Sequence, residues 1–155
     1  MSDPRVLAER FNRQIRGITL MLRRGSAGQP ITTQQMFVMG SLEGGSRRMS
    51  DLAAEHGVRL PTMTRQIGRL ARDGLVTRGR DTGDARVVTA ELTPIGRQRL
   101  SEGREQRITF LAERMTLLNE AERASIEAAL PALEKLLAGS GPPGGAIGNS
   151  LTQMP

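Results

Sequence analysis

Residue types that perform chemistry are scarce in this chain of 155 residues. It has no cysteine, which excludes disulfides, thiolate metal sites and a thiol redox switch within the chain. His56 is the single histidine, so a metal site or a hydroxyl–imidazole pair would have to be built around it. Its position at the end of a short helix favours a capping or surface role. We therefore expect no catalytic residue, no metal and no cofactor, with an enzyme built on His56 as a weak alternative.

Arginine is the abundant chemical group. The formal charge is +6, and the 22 basic residues are 21 arginines and Lys135. Twelve of the arginines lie between Arg47 and Arg104 against seven acids, so this segment holds five of the six excess charges. A GC-rich genome would also favour arginine over lysine, but it does not explain this clustering. Because the guanidinium fork suits phosphates and guanine edges, the segment indicates a nucleic-acid or acidic partner.

Two short helices fall inside this basic segment. Ser50 is a suitable N-cap for "DLAAEHG", and Gly57 supplies the stop. In "PTMTRQIGRLARDGL" the apolar residues Met63, Ile67 and Leu70 share one face. Two helices joined by a turn of about four residues, the second exposing small polar and arginine side chains, form a helix-turn-helix signature. The candidate DNA-binding residues of this recognition helix are Arg59, Pro61, Thr62, Thr64, Arg65, Arg69 and Arg72.

Position along the recognition helix suggests separate roles. Thr62, Thr64 and Arg65 lie in the first turns, where base edges are reached, whereas Arg69 and Arg72 suit the DNA backbone. Gly68, on the face of Arg65, lowers helix propensity and would allow close approach to DNA. The alternative is an ordinary solvated helix face on which Thr62 serves only as a cap.

The stretch "RGRDTGDARVVTAELT" predicts a charged hairpin. "GLVTRGR" and "ARVVTAEL" have strand character around the turn "DTGD", where Gly83 would permit the turn, with Val76, Val87, Val88 and Leu92 facing inward. A hairpin after a recognition helix is a wing, and an arginine on its tip can enter the minor groove. The candidate wing residues are Arg78 and Arg80 near the phosphates, Arg86 in the groove, and Asp84 holding the Arg86 guanidinium. An exposed hairpin with a solvated charge cluster is the alternative.

Amphipathic helices flank this region. Residues 4–24 carry an apolar stripe at intervals of three and four, Thr32 and Gln35 have capping-box spacing, and Thr93 with Pro94 starts a long helix. A last helix follows, with Pro131 as a kink. The fold class is mainly α with a small β wing. Several of the eight methionines could line an effector pocket, although core filling is the better interpretation for most: Met21, Met36, Met39, Met49 and Met63.

These motifs resemble the multiple-antibiotic-resistance regulator (MarR) family of winged-helix transcription factors. The family pattern "L-x-x-x-G-L-V-x-R" is matched at Leu70–Arg78, "D-x-R" at Asp84–Arg86 and "L-T-x-x-G" at Leu92–Gly96, after "MSDLAAEHGV". Arg59 departs from the pattern, because the family often has a small capping residue there. The resemblance implies a homodimer with interlocked terminal helices and, commonly in the family, release from DNA by an aromatic or phenolic anion. The residues expected at the dimer interface are Leu7, Phe11, Ile15, Ile126, Leu130, Leu133 and Leu137.

The expected organisation has four parts. Residues 1–30 form an N-terminal dimerisation helix, 31–98 a winged helix-turn-helix domain, 99–139 C-terminal dimerisation helices, and 140–155 a flexible Gly- and Pro-rich tail. Without a membrane-span pattern or a signal-peptide pattern, we expect a cytoplasmic protein with no membrane partner. We expect it to bind double-stranded DNA as a repressor of a palindromic operator. An architectural DNA binder without a specific operator and a winged-helix protein-interaction module remain open.

Overall fold

A computed structural model of the chain describes residues 3–138. Over this range the chain forms helices with one small sheet, which confirms the mainly α fold class with a β wing. The expected tail at residues 140–155 lies outside the described residues. None of the described helices is long and apolar enough to cross a membrane. The elements are α1 (Pro4–Gly25), α2 (Thr33–Gly40), β1 (Arg47–Arg48), α3 (Met49–Glu55), α4 (Leu60–Arg72), β2 (Val76–Arg80), β3 (Val88–Leu92), α5 (Pro94–Met115) and α6 (Glu120–Ala138).

The core lies between α2, α3, α4, the sheet and the first half of α5. The predicted inner face of α4 is confirmed, because Met63, Ile67 and Leu70 are at most 1% exposed. Leu52 of α3 and Leu100 of α5 close the same cluster. Four of the five methionines considered for a pocket are buried here as core residues, and Met21 is partly buried on α1. The core-filling interpretation of the four is therefore the one that the structure supports.

The wing strands form as predicted, with an additional strand from the start of the helix-turn-helix. The sheet is antiparallel with the order β1-β3-β2, and β2 pairs with β3 from Val76 opposite Leu92 to Arg80 opposite Val88. Val76 and Leu92 are buried, whereas Val87 and Val88 are only partly buried. Val87 lies in the loop before β3 rather than in the strand. Val88 packs against the core, so the inward position predicted for it is confirmed, whereas Val87 is not among the residues that pack there.

Helix ends agree with the sequence at most positions. The capping box is confirmed: Thr32 Oγ1 accepts the Gln35 N–H at 3.2 Å, and Gln35 Oε1 accepts the Thr32 N–H at 2.8 Å. Gly57 has a positive φ of 61° and ends α3 as predicted. The prediction that Ser50 caps α3 is wrong, because that helix already begins at Met49. Its N-cap is Arg48, whose side chain makes no capping hydrogen bond.

The terminal helices bury no residue within the chain. Neither α1 nor α6 contributes a buried residue, although both carry large apolar side chains. Pro131 lies inside α6, which is helical on both sides of it. The expected domain boundary at residue 98 falls within α5, whose early residues Gly96 and Leu100 pack in the winged domain. The expected interface residues are exposed (Leu7, Ile15, Ile126, Leu130 and Leu137) or partly buried (Phe11 and Leu133).

Candidate nucleic-acid interface

The outer face of α4 is built by its amphipathic pattern. Burial of one face in the core leaves Arg65, Arg69 and Arg72 exposed on the remainder of the helix. Thr62 and Thr64 are partly buried. The N-cap residue of the helix is Arg59, which makes no side-chain capping bond, so this chain lacks the small capping side chain that the MarR family often has there. Thr62 lies inside the helix and is not its N-cap. Leu60, which is not among the predicted site residues, is 48% exposed at the first helical position beside Pro61.

Gly68 leaves an open place on this face. A Cβ atom added to Gly68 would meet nothing within 4 Å, so the fold itself does not require glycine there. Glycine in a helix interior costs about 1 kcal/mol relative to alanine. The missing side chain therefore leaves room beside Arg65 and Arg69 for an external molecule.

The wing tip is organised by Asp81 rather than by the residues expected from the sequence. Asp84 accepts the backbone N–H of Arg86 at 2.9 Å, and within residues 3–138 its carboxylate forms no ion pair with the Arg86 guanidinium. The expectation that Asp84 holds this guanidinium is therefore wrong, because a short carboxylate in a turn satisfies the nearby backbone first. Gly83 does not have a positive φ, and its N–H donates to Asp81.

Asp81 joins the wing to β1. Arg48 donates from Nε to Oδ1 at 3.2 Å and from Nη2 to Oδ2 at 3.0 Å, a two-point ion pair. Hydrogen bonds from Arg48 first, and from the backbone of Gly83 and Asp84, outweigh desolvation and lower the pKa of Asp81. The pattern of the sequence did not predict this pair. Its one local signal was an arginine, Arg48, immediately before α3, where a short capping side chain would be usual.

The twelve arginines from Arg47 to Arg104 divide into those with a partner in the fold and those without, and Arg97 belongs to the first group because it donates to the Glu43 carbonyl. Arg47, Arg48, Arg99 and Arg104 form ion pairs with carboxylates. In contrast, none of seven other arginines forms an ion pair or a side-chain hydrogen bond within the described part of the chain. These seven are Arg59, Arg65, Arg69, Arg72, Arg78, Arg80 and Arg86, all of them exposed and all predicted site residues. The structure therefore leaves an unneutralised basic surface on α4 and the wing.

His56 takes part in a hydrogen-bond network with Ser41 and Glu55. Ser41 Oγ donates to Glu55 at 2.6 Å and lies 2.9 Å from His56 Nε2. The shorter of these two contacts joins the Ser41 hydroxyl to the Glu55 carboxylate, which can only accept, so the hydroxyl proton is directed to Glu55 rather than to His56. Burial raises the pKa of Glu55, but hydrogen bonds from Ser41 and Arg47 outweigh it and lower that pKa overall. The network ties α3 to the end of α2.

Two clefts lie beside the winged domain. One, of about 150 Å³, lies between α2 and α4 and is lined by Gln35, Gln66 and Arg69 among others. The other lies between α1, α2 and α5, where Met36 and Arg107 contribute to the lining, and its volume is about 10 Å³. No group of three or more His, Asp or Glu side chains among residues 3–138 could hold a metal ion.

The fold and its basic surface define a winged helix-turn-helix protein of the DNA-binding class. The MarR family model matches residues 31–88. The uncharacterized HTH-type transcriptional regulator Mb0904 of Mycobacterium bovis is 31% identical over 129 residues, which are 83% of this chain and 90% of that protein. The HTH-type transcriptional repressor MdtR of Bacillus subtilis is 32% identical over 95 residues, 61% of each chain.

Comparison with solved structures points to the same class of protein. A crystal structure described as that of a transcriptional regulator from Pseudomonas aeruginosa is 30% identical, covers 88% of this chain and 98% of its own, and has a TM-score of 0.74. The chain belongs to the MarR family. It is a DNA-binding transcriptional regulator and not an enzyme.

Proposed function

We propose that the protein is a homodimeric repressor that binds a palindromic operator in double-stranded DNA. The observation that carries this proposal is the block of unpaired arginines on α4 and the wing, in a chain that pairs its neighbouring arginines with its own acids. Phosphates are the external partners that would neutralise such a surface. The repressor MdtR supports the sign of regulation by similarity.

Recognition of bases is assigned to the first turns of α4. Arg65 is exposed there and can donate to both acceptors of a guanine, with Thr62 and Thr64 beside it. Leu60 and Pro61 offer an apolar contact for a thymine methyl group. Arg69 and Arg72, further along the helix, together with Arg59, contact phosphates and set the register of the helix on the duplex.

The wing is assigned to the adjacent minor groove. Arg86 lies on the loop between β2 and β3, is exposed, and has an unpaired guanidinium among the described residues. A narrow minor groove concentrates negative potential and attracts such a side chain. Arg78 and Arg80 lie on β2, before the loop, and are assigned to the flanking phosphates.

Dimerisation is assigned to α1 and α6. Leu7 is 57% exposed and Leu130 is 48% exposed on helices that bury nothing within the chain. Burial of one such side chain contributes roughly 1.5–3 kcal/mol, so two helices with several of them have a strong reason to pair with a second copy. A dyad would place the two α4 helices in successive major grooves, about one helical turn apart.

Release by a small ligand is the remaining part of the proposal. The cleft between α1, α2 and α5 lies between the dimerisation helices and the winged domain, and Arg107 there could pair with an anion. Its volume of about 10 Å³ is too small for an aromatic anion, so binding would require the helices to separate. Such a separation would change the spacing of the two α4 helices.

Selection of bound fragments from a randomised DNA pool tests the proposal. We expect a recurring inverted repeat of about 16–20 base pairs whose half-sites lie one helical turn apart, with affinity that falls steeply as salt rises. Bound fragments without a common motif would instead support the architectural alternative. Failure to bind any fragment at low salt would favour the protein-interaction module.

A further inference from the structure

The wing loop converges on one carboxylate. Asp81 Oδ2 accepts the backbone N–H groups of Gly83 and Asp84 at 3.1 and 3.2 Å, in addition to the two bonds from Arg48. The Asp81 side chain is only 19% exposed. The loop is also closed by its own backbone, since the Asp81 N–H donates to the Val87 carbonyl at 2.9 Å.

Arg48 is the external anchor of this loop. It lies 33 positions before Asp81, and its backbone is fixed by pairing of β1 with β3, where Arg48 is opposite Thr89. It is also the N-cap residue of α3, and its side chain extends to the wing instead of capping that helix. The pair therefore connects the first residue of the helix-turn-helix to the tip of the hairpin.

We propose that Asp81 and Arg48 are positioning residues for DNA binding, which hold the wing loop in the conformation that presents Arg86 to the minor groove and Arg80 to the flanking phosphates. This inference rests on the proposed function. An aspartate between these arginines is repelled by phosphate, so simple electrostatics would make it a hindrance. It becomes useful if the order that it imposes on the loop lowers the entropy cost of binding.

The two effects have opposite signs, which makes Asp81→Asn a direct test. The variant removes one negative charge, and its side-chain amide can no longer accept both hydrogen bonds from Arg48. We expect operator affinity to fall about tenfold, while affinity for random DNA stays the same or rises slightly. Asp51→Asn is the matched control, because it removes the same charge from an exposed residue of α3 near Arg48 and leaves the wing bonds intact. Operator binding by Asp81→Asn that equals or exceeds that of the control would overturn the proposal.

A double variant separates positioning from a direct phosphate contact by Arg48. Arg48→Ala with Asp81→Asn restores the formal charge of the wild type. If both residues act through the pair, the double variant should bind the operator no more weakly than Arg48→Ala alone. Additive losses would mean that Arg48 and Asp81 act independently, and the proposal would be wrong.

Hydrogen exchange in the absence of DNA tests whether the Arg48–Asp81 pair orders the wing loop. In Arg48→Ala we expect the amides of Gly83, Asp84 and Val87 to exchange several-fold faster, with no change at Leu70 in the core. Unchanged exchange in the wing would refute the positioning role even if DNA binding were altered. If the wild type selects no operator, the proposed function fails, and the exchange data still report whether the pair orders the loop.

Discussion

Gly96→Ala should be one of the most damaging single-methyl changes in the chain. A Cβ atom at Gly96 would lie 2.0 Å from the carbonyl oxygen of Leu75 and 2.9 Å from its carbonyl carbon. The obstacle is backbone, so no side-chain rotation relieves it. The approach is fixed by hydrogen bonds from the Thr93 N–H to the Leu75 carbonyl at 3.1 Å and from Thr93 Oγ1 to the Gly74 carbonyl at 2.7 Å. The start of α5 must therefore move away from Leu75, which lies between α4 and β2.

The magnitude follows from that movement. The Cβ–oxygen separation has to widen by at least about 1 Å to reach ordinary contact, which is comparable to overpacking a core at about 1–3 kcal/mol. Loss of the two hydrogen bonds of Thr93 adds roughly 1 kcal/mol each. Alanine regains about 1 kcal/mol of helix propensity. We therefore expect Gly96→Ala to lower the free energy of unfolding by about 2–4 kcal/mol.

Two other helical glycines provide matched controls with the same added methyl group. Gly68→Ala meets nothing within 4 Å and should raise the free energy of unfolding by about 0.5–1 kcal/mol. Gly103→Ala meets the Cδ1 atom of Ile31 at 2.9 Å, the movable end of a flexible side chain, and should change stability by less than about 1 kcal/mol.

Urea unfolding at a single protein concentration measures all three variants, because the stability of a dimer depends on concentration. If Gly96→Ala were as stable as Gly68→Ala, the close approach of α5 to Leu75 would not constrain this fold. Gly68→Ala has a second expected result, a weaker affinity for the operator despite higher stability. Undiminished binding would mean that the open place beside Arg65 is not occupied by DNA.

The other predictions concern base readout, assembly and pH. Arg65→Ala should lose about 1–3 kcal/mol of operator affinity and relax base preference at one position, and Arg86→Ala should weaken operator binding by a similar amount. Competition between operator and random DNA measures both losses. If Arg65→Ala lost affinity equally for the two DNAs, its assignment to base readout would be refuted. Leu130→Glu should give monomers in sedimentation analysis, whereas Ala128→Glu, which adds the same charge off the apolar stripe, should not. The stabilisation provided by the lowered pKa of Glu55 is present above the unfolded value near 4.5 and is lost as pH falls through the folded value. Thermal unfolding of Glu55→Gln should therefore depend less on pH below 4.5 than that of the wild type.

Local patterns in the sequence were sufficient to predict most elements and their inner faces. The spacing of Met63, Ile67 and Leu70 predicted the buried side of α4, and the Thr32 and Gln35 spacing predicted a capping box that the structure contains. Both patterns involve residues within one or two turns of each other, where helix geometry fixes which side chains meet. The exposed arginines of α4 followed from the same periodicity.

Long-range pairing had no such spacing in the sequence, and an arginine before α3 does not name its partner. The sequence favoured Asp84 as the organising acid of the wing because it is two residues from Arg86, and it favoured Ser50 as a cap because of its side chain. The structure uses Asp81 and Arg48 at these places, and the pair joins residues 33 positions apart. That contact exists only after β1 has paired with β3, so no periodicity or spacing within either segment predicts it.

Contacts within the fold also determine which of the basic side chains are free to bind an external anion. Of the twelve arginines from Arg47 to Arg104, Arg47, Arg48, Arg97, Arg99 and Arg104 are bonded to carboxylates or to a backbone carbonyl. The seven that have no ion pair or side-chain hydrogen bond within residues 3–138 form an unbroken series from Arg59 to Arg86. Composition counts both groups alike, yet only the second is available to a polyanion without first breaking a bond within the fold. The basic excess of the segment from Arg47 to Arg104 therefore includes arginines that the fold already pairs, and the unpaired ones among these twelve lie on α4 and the wing.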